Sequence, residues 1–185
     1  MNSTTQLQKT NSDSLFLEAG TQITKTPFWP MIELQLTDTE SYLRVLLVDD
    51  DECLLEISKQ ILEMESKIKV ETATSADEAF ENLRQFHYDV VVSDFDMPGK
   101  NGLQFLEELK KIERSPPFIL FTGKVREEVE VEALNLGAFR YLNKNGDPEA
   151  VYTELVSSIQ QAADNMKTQN LVKQSETRFR TIFQA

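Results

Sequence analysis

The 185-residue sequence predicts an α/β fold, a doubly wound parallel sheet of five strands interleaved with five helices. Two observations carry that expectation. Short apolar runs rich in Val, Ile, Leu and Phe alternate along the chain with stretches that are apolar every three or four residues. Most of the apolar runs also stop on polar residues and then on turn-forming Gly, Pro or Asn. A continuous apolar run is the mark of a strand buried on both faces, and strand–helix alternation is the mark of parallel crossovers.

Residues 1–41 are rich in Ser, Thr, Gln and Asn, with Pro27-Phe28-Trp29-Pro30 in their midst. That polarity is expected to leave an extension largely disordered or loosely docked, because too little apolar surface is available to offset ordering. The folded unit is expected over 42–164. Val45-Leu46-Leu47-Val48 reads as the first strand, ending on Asp49-Asp50-Asp51. A helix follows with Cys53, Ile57 and Ile61 on its inner face, flanked by Leu54 and Leu62, and with Asp51 and Glu52 at its start, where the dipole favours acids. Ile68-Lys69-Val70 reads as the second strand. Ser75 and Glu78 have the spacing of a capping box opening a helix through Ala79, Phe80 and Leu83.

Val90-Val91-Val92 is the third strand, and it runs into Ser93-Asp94-Phe95-Asp96-Met97 and the turn residues Pro98-Gly99 and Asn101-Gly102. Asn101 with Gln104 fits the start of a helix through Leu103, Phe105, Leu106 and Leu109. Phe118-Ile119-Leu120-Phe121 is the fourth strand, stopping at Thr122-Gly123. Val125, Val129, Ala133 and Leu136 mark the inner face of a helix closed by Gly137. Val131 and Leu134 fall off that face. Phe139-Arg140-Tyr141-Leu142 is the fifth strand, leading to Asn143-Lys144-Asn145-Gly146. Asp147-Pro148 supplies a cap and an N1 proline for a helix through Val151, Leu155 and Ile159. No stop signal follows, so residues 165–185 are expected to continue as a linker helix.

Composition narrows the function classes. A net charge of −12 and a pI near 4.6 argue against a phosphate-backbone partner for this chain, so no nucleic acid is expected. The single Cys53 excludes an internal disulfide and fits a reducing compartment, and His87 has no companion at zinc-ligand spacing. No run approaches membrane-spanning length and no signal-like leader opens the chain, so a cytoplasmic protein is expected.

The ends of parallel strands share one edge of the sheet, where such folds hold their ligands. Asp49 and Asp50, Asp94, Thr122 and Lys144 all follow strands in this reading. Two carboxylates about 4 Å apart repel by roughly 4 kcal/mol at an effective dielectric near 20. Clustered acids therefore need a cation, and oxygen-only ligands with room for water and phosphate suit Mg²⁺. Lys144 offers a fixed positive charge and Thr122 a hydroxyl, both suited to the oxygens of a transferring phosphoryl group, with Asp94 as the nucleophile.

These segments, together with Met97-Pro98-Gly99, Phe121-Thr122-Gly123 and Tyr141-Leu142-Asn143-Lys144, resemble the receiver domain of two-component response regulators from about Arg44 to Ala163. The resemblance implies a flavodoxin-like sheet of strand order 2-1-3-4-5, with the first and third strands adjacent. It implies that Asp94 accepts phosphate from a histidine kinase or histidine phosphotransfer domain, and that the protein catalyses its own phosphorylation and dephosphorylation there. It also implies that Mg²⁺ is held by Asp50 and Asp94, by Asp49 through water, and by the backbone carbonyl of Asp96. Thr122 and Lys144 would hold the phosphoryl oxygens, and Thr122 with Tyr141 would form the switch that reshapes the fourth helix, fifth strand and fifth helix. Asp96 and Lys124 occupy positions that tune dephosphorylation in the family, and either a pair across the site mouth or an ordinary solvated pair fits them. The sequence departs from the family after Lys144, where Asn145 replaces the usual proline of a cis peptide; a cis bond before a non-proline residue costs roughly 3 kcal/mol, which leaves the isomer open and the lysine less firmly placed.

Two other readings compete. Asp94-Phe95-Asp96 also fits the nucleophile motif of haloacid dehalogenase-like phosphatases, but that family places it on the first strand. A pseudo-receiver that binds without taking phosphate is the second, and the full polar set argues against it. Residues Ser175 to Ala185 resemble the opening of a PAS domain, which implies downstream PAS or kinase domains, as in a hybrid histidine kinase. The sparse apolar residues Met166, Leu171 and Val172 leave a homodimer seam and a plain connector both open.

Overall fold

The computed structural model describes residues 42–124 and 126–183, with side chains described to Arg180. The expectations for the polar extension, for Val125 and for the last residues lie outside that range. Ten elements alternate as expected: β1 (Leu43–Val48), α1 (Glu52–Glu63), β2 (Ile68–Ala73), α2 (Ala76–Gln85), β3 (Val90–Ser93), α3 (Gly102–Leu109), β4 (Phe118–Thr122), α4 (Glu127–Asn135), β5 (Arg140–Asn143) and α5 (Pro148–Phe183). The sheet has the order β2-β1-β3-β4-β5, and every pairing is parallel.

Strand alternation divides the core into two layers. Leu46, Val48, Val91, Phe118 and Leu120 face one side and pack with Phe105, Leu106 and Leu109 of α3, Ala79 of α2 and Ala133 of α4. Val45, Leu47, Val90, Val92, Ile119 and Phe121 face the other, under Leu55 and Leu62 of α1 and Leu155 and Ile159 of α5. Phe105 is fully buried and meets Phe80 and Phe118 edge-on, with ring centroids 5.0 and 5.5 Å away. Truncating such a ring costs about 3–5 kcal/mol, so this aromatic row is a principal tie between α2, α3 and the sheet.

The inner face of α1 differs from the expectation. Cys53 and Ile57 are exposed, and the buried residues are Leu55, Ser58 and Leu62. The cause is Ser58, whose hydroxyl lies 2.6 Å from the Tyr152 hydroxyl of α5. A polar residue thus belongs to the buried stripe, which rotates the helix away from the run of Ile and Cys. The start of α2 also differs in detail. Ser75 accepts from the Glu78 amide at 3.2 Å, but Glu78 Oε2 accepts from the amide and hydroxyl of Thr74, at 2.7 and 2.8 Å. At α3 the reciprocal box is complete, with Asn101 accepting from Gln104 and Gln104 returning to the Asn101 amide.

Val131 and Leu134 are exposed on α4, as expected, while Val129 and Ala133 are buried. The last helix is one element of 36 residues. Its first turns pack on the sheet through Leu155, Ile159, Ala162 and Ala163. Beyond them roughly 30 Å of helix continues, on which Leu171 and Val172 are exposed.

Candidate functional site

The carboxyl ends of β1, β3, β4 and β5 each deliver a polar side chain to one edge of the sheet. Because β1 pairs directly with β3, with Val48 opposite Ser93, the next residues Asp49 and Asp94 leave the sheet side by side. Both are buried, at 6% and 8% exposure. A buried carboxylate needs a partner or hydrogen bonds to remain charged, and here each has both. Lys144 Nζ, from the end of β5, stands 2.5 Å from Asp49 Oδ2 and 2.5 Å from Asp94 Oδ1. Asp49 Oδ1 accepts from the Asp51 amide at 3.0 Å, and Asp94 Oδ2 accepts from the Asp96 amide at 2.5 Å.

Lys144 is held from below as well. Its ammonium sits 5.5 Å from the centre of the Phe121 ring, a contact that orients a cation as it desolvates it. Its amide donates to the Thr122 carbonyl at 2.9 Å, extending the β4–β5 ladder by one bond. Thr122 is buried, and its hydroxyl accepts from the Lys124 amide at 3.3 Å. The described residues contain no cis peptide bond, so Lys144–Asn145 is trans.

Around this centre the neighbouring residues take different places. Asp50 is exposed. Asp96 is half-buried and pairs with the ammonium of Lys124, across the mouth of the site. Arg126 reaches over the Phe95 ring, 5.8 Å from its centre. Tyr141 is half-buried, and its hydroxyl donates to the Lys124 carbonyl at 3.2 Å. The turn after Asp94 needs Gly102: a Cβ there would lie 2.4 Å from the Asp94 carbonyl oxygen and 2.7 Å from Leu120 Cδ1.

The donor set fits a hard divalent cation. Asp49 and Asp94 carry two buried negative charges against the one of Lys144, and Asp50 adds a third acid at the solvent side. All the donors are oxygens. Among the described residues no three acids, histidines or cysteines already stand as a ligating group. An ion here would take few protein oxygens and complete its shell with water, the habit of Mg²⁺.

Two features at this edge have no sequence signal pointing to them. The Asn145 side-chain amide donates to the Gly123 carbonyl at 2.7 Å, joining the loops after β4 and β5. Phe121 lies under the lysine, although from sequence it reads only as strand core.

Comparison with known proteins agrees with this geometry. The model of a family described as the response regulator receiver domain matches residues 45–169. The response regulator SaeR of Staphylococcus aureus (strain USA300) is 36% identical over 123 residues, covering 66% of this chain and 51% of that protein. The probable transcriptional regulator ycf29 of Porphyra purpurea is 33% identical over 135 residues, covering 71% and 62%. The chain thus spans between about half and two thirds of the length of these relatives. Among solved structures, a CheY-like response regulator receiver domain protein from Methanospirillum hungatei JF-1 superposes with a TM-score of 0.62 at 31% identity, over 70% of this chain and 99% of that one. A receiver domain protein from Clostridium thermocellum gives 0.61 at 30%, over 68% and 98%.

Proposed function

Since this chain belongs to the response regulator receiver domains of two-component systems, we propose that Asp94 is the phosphoacceptor, taking a phosphoryl group from the phosphohistidine of a histidine kinase or histidine phosphotransfer domain. The observation that carries this reading is the double contact of Lys144 with Asp49 and Asp94. A cation already placed on the nucleophile's carboxylate is a cation placed for the charge that a phosphoryl group brings.

In the transfer, an Asp94 carboxylate oxygen forms the new O–P bond as the P–N bond of the donor breaks, and the bonding pair leaves on the imidazole nitrogen. Asp50 and Asp94 would hold Mg²⁺ through carboxylate oxygens, Asp49 through a bound water and Asp96 through its carbonyl. When bound, the ion neutralises charge on the phosphoryl oxygens. Lys144 and the Thr122 hydroxyl hold the phosphoryl oxygens on the other side, and Phe121 keeps the ammonium oriented and partly dehydrated.

The switch follows from hydrogen bonds. Thr122 moving toward the phosphoryl group carries Gly123 and Lys124 with it, and Lys124 offers the carbonyl that holds the Tyr141 hydroxyl. Displacing that carbonyl frees Tyr141 to turn inward and changes the face of α4, β5 and α5. The long α5 leads away from this face, and we propose that it connects the receiver to a PAS or kinase module, or to a second copy of the chain. No helix among the described residues is long and apolar enough to cross a membrane, and a cytoplasmic setting accords with a kinase partner.

The test is direct. Protein incubated with Mg²⁺ and acetyl phosphate should gain one phosphoryl group by intact mass, and a chelator should prevent it. An Asp94→Asn variant that still gains the group would remove Asp94 from this role. Absence of any adduct at short times, with no beryllofluoride binding, would favour the pseudo-receiver reading. Steady turnover of p-nitrophenyl phosphate would favour the phosphatase reading.

A further inference from the structure

We propose that Asn145 is a positioning residue for phosphoryl transfer, acting as an amide clasp that holds Lys144 and Thr122 in a fixed relation. The proposal rests on the receiver reading above and deepens it. Thr122 is the last residue of β4 and Lys144 the first residue after β5, where the paired strands give way to loops. Past Asn143, which pairs with Thr122, the residue pairing of the two strands ends.

Three hydrogen bonds join the chain there, the first of them the last bond of the ladder. The Lys144 amide donates to the Thr122 carbonyl at 2.9 Å. The Asn145 amide donates to Asn143 Oδ1 at 2.8 Å, closing a side-chain turn with Lys144 at its crest. The Asn145 side-chain amide then crosses to the Gly123 carbonyl at 2.7 Å. Each residue that would hold phosphoryl oxygens is therefore flanked by a residue that is tied to the other loop. The ammonium of Lys144 lies at the end of a long flexible stem, so its two contacts with Asp49 and Asp94 depend on where the backbone starts that stem.

Gly123, which accepts the crossing bond, is half-buried, and a Cβ added to it would lie 3.8 Å from Asn145 Oδ1, an ordinary contact, so the clasp depends on the Gly123 carbonyl and not on the missing side chain. Asn145 itself is exposed, and its hydrogen bonds go to the two loops and not to the acids. It has no part in the hydrophobic core, so the clasp serves the loops and not the stability of the sheet. A carboxamide is suited to this task because it can donate to a carbonyl without bringing a charge near Lys144, which a lysine or an aspartate at this position would do.

The experiment compares the whole chain with Asn145→Ala, Thr122→Ala and the double variant, measuring beryllofluoride affinity in Mg²⁺ and the initial rate of acetyl phosphate labelling. Asn145→Ala is expected to weaken both about tenfold, in line with the sensitivity of reacting groups to small misplacement, while the urea midpoint stays within error of the parent. In the Thr122→Ala background the same substitution should cost less than about threefold, because the relation it maintains has already been lost. Asn145→Ala with unchanged affinity and rate overturns the clasp, as does a full tenfold loss in both backgrounds, which marks an effect independent of Thr122. If the parent chain itself neither labels nor binds beryllofluoride, the receiver reading falls and the clasp with it; labelling by the parent separates the two failures.

Discussion

Lys144 Nζ bridges Asp49 Oδ2 and Asp94 Oδ1 at 2.5 Å each, so one ammonium from the end of β5 neutralises carboxylates from the ends of β1 and β3. The lysine side chain is 15% exposed and the acids are 8% and 10% exposed, so the three groups share a largely water-excluded site. Removing the cation leaves two buried charges unopposed. Lys144→Met is expected to lower stability by about 3 kcal/mol at neutral pH, read from urea unfolding. Adding Asp49→Asn should recover part of the loss, because a single carboxylate then remains; a double variant less stable than Lys144→Met alone would show that repulsion is not the cause.

Gly102 is required by close approach. With a Cβ placed 2.4 Å from the Asp94 carbonyl oxygen, backbone must shift at the residue that carries the proposed chemistry. Gly102→Ala is expected to cost roughly 1–3 kcal/mol and to slow acetyl phosphate labelling as well. A variant with parental stability and rate would show that the turn yields without strain.

The Ser58–Tyr152 hydroxyl pair predicts non-additive mutations. Tyr152→Phe leaves the buried Ser58 hydroxyl, and Ser58→Ala the half-buried Tyr152 hydroxyl, without its partner across α1 and α5. Each is expected to cost about 1–2 kcal/mol, and the double variant less than the sum by about 1 kcal/mol. Additive losses in a denaturant cycle would mean that the hydroxyls find other partners.

At the opposite edge of the sheet, the Tyr88 hydroxyl donates to Glu71, whose carboxylate also pairs with Arg44. The Tyr88 hydrogen bond, and then Arg44, hold the Glu71 carboxyl below its ordinary value of 4.5. A depressed acid contributes stability that is present above its unfolded value and is lost as pH falls through the folded one. Tyr88→Phe should therefore be most destabilising above pH 4.5, and the gap from the parent should narrow in acid. Urea midpoints from pH 3 to 7, chosen as about 1.5–2.5 pH units either side of that value, read the difference. A gap that widens in acid would show the opposite linkage.

Much of the candidate site is legible in the sequence because strand ends announce themselves. Asp94, Thr122 and Lys144 each follow an apolar run, and a parallel sheet sends all such ends to one edge. Less is legible where a polar residue is buried by a single specific partner. Ser58 reads as surface without Tyr152, so the apolar stripe of Cys53 and Ile57 reads as inward when it faces solvent. Glu78 has the right spacing for Ser75 yet closes on Thr74, since its side chain can reach either.

By itself the sequence determined the alternation of strands and helices and the residues offered to the functional edge, because hydrophobic period and turn chemistry are local properties. Only the tertiary structure decided which offered groups meet. Placing β3 beside β1 brings Asp49 to Asp94, the length of the lysine stem lets Lys144 reach both, and Asp50 is left in solvent though it is the very next residue to Asp49. The two lysine contacts join residues 50 and 95 positions apart in the chain, a separation at which no local pattern carries information.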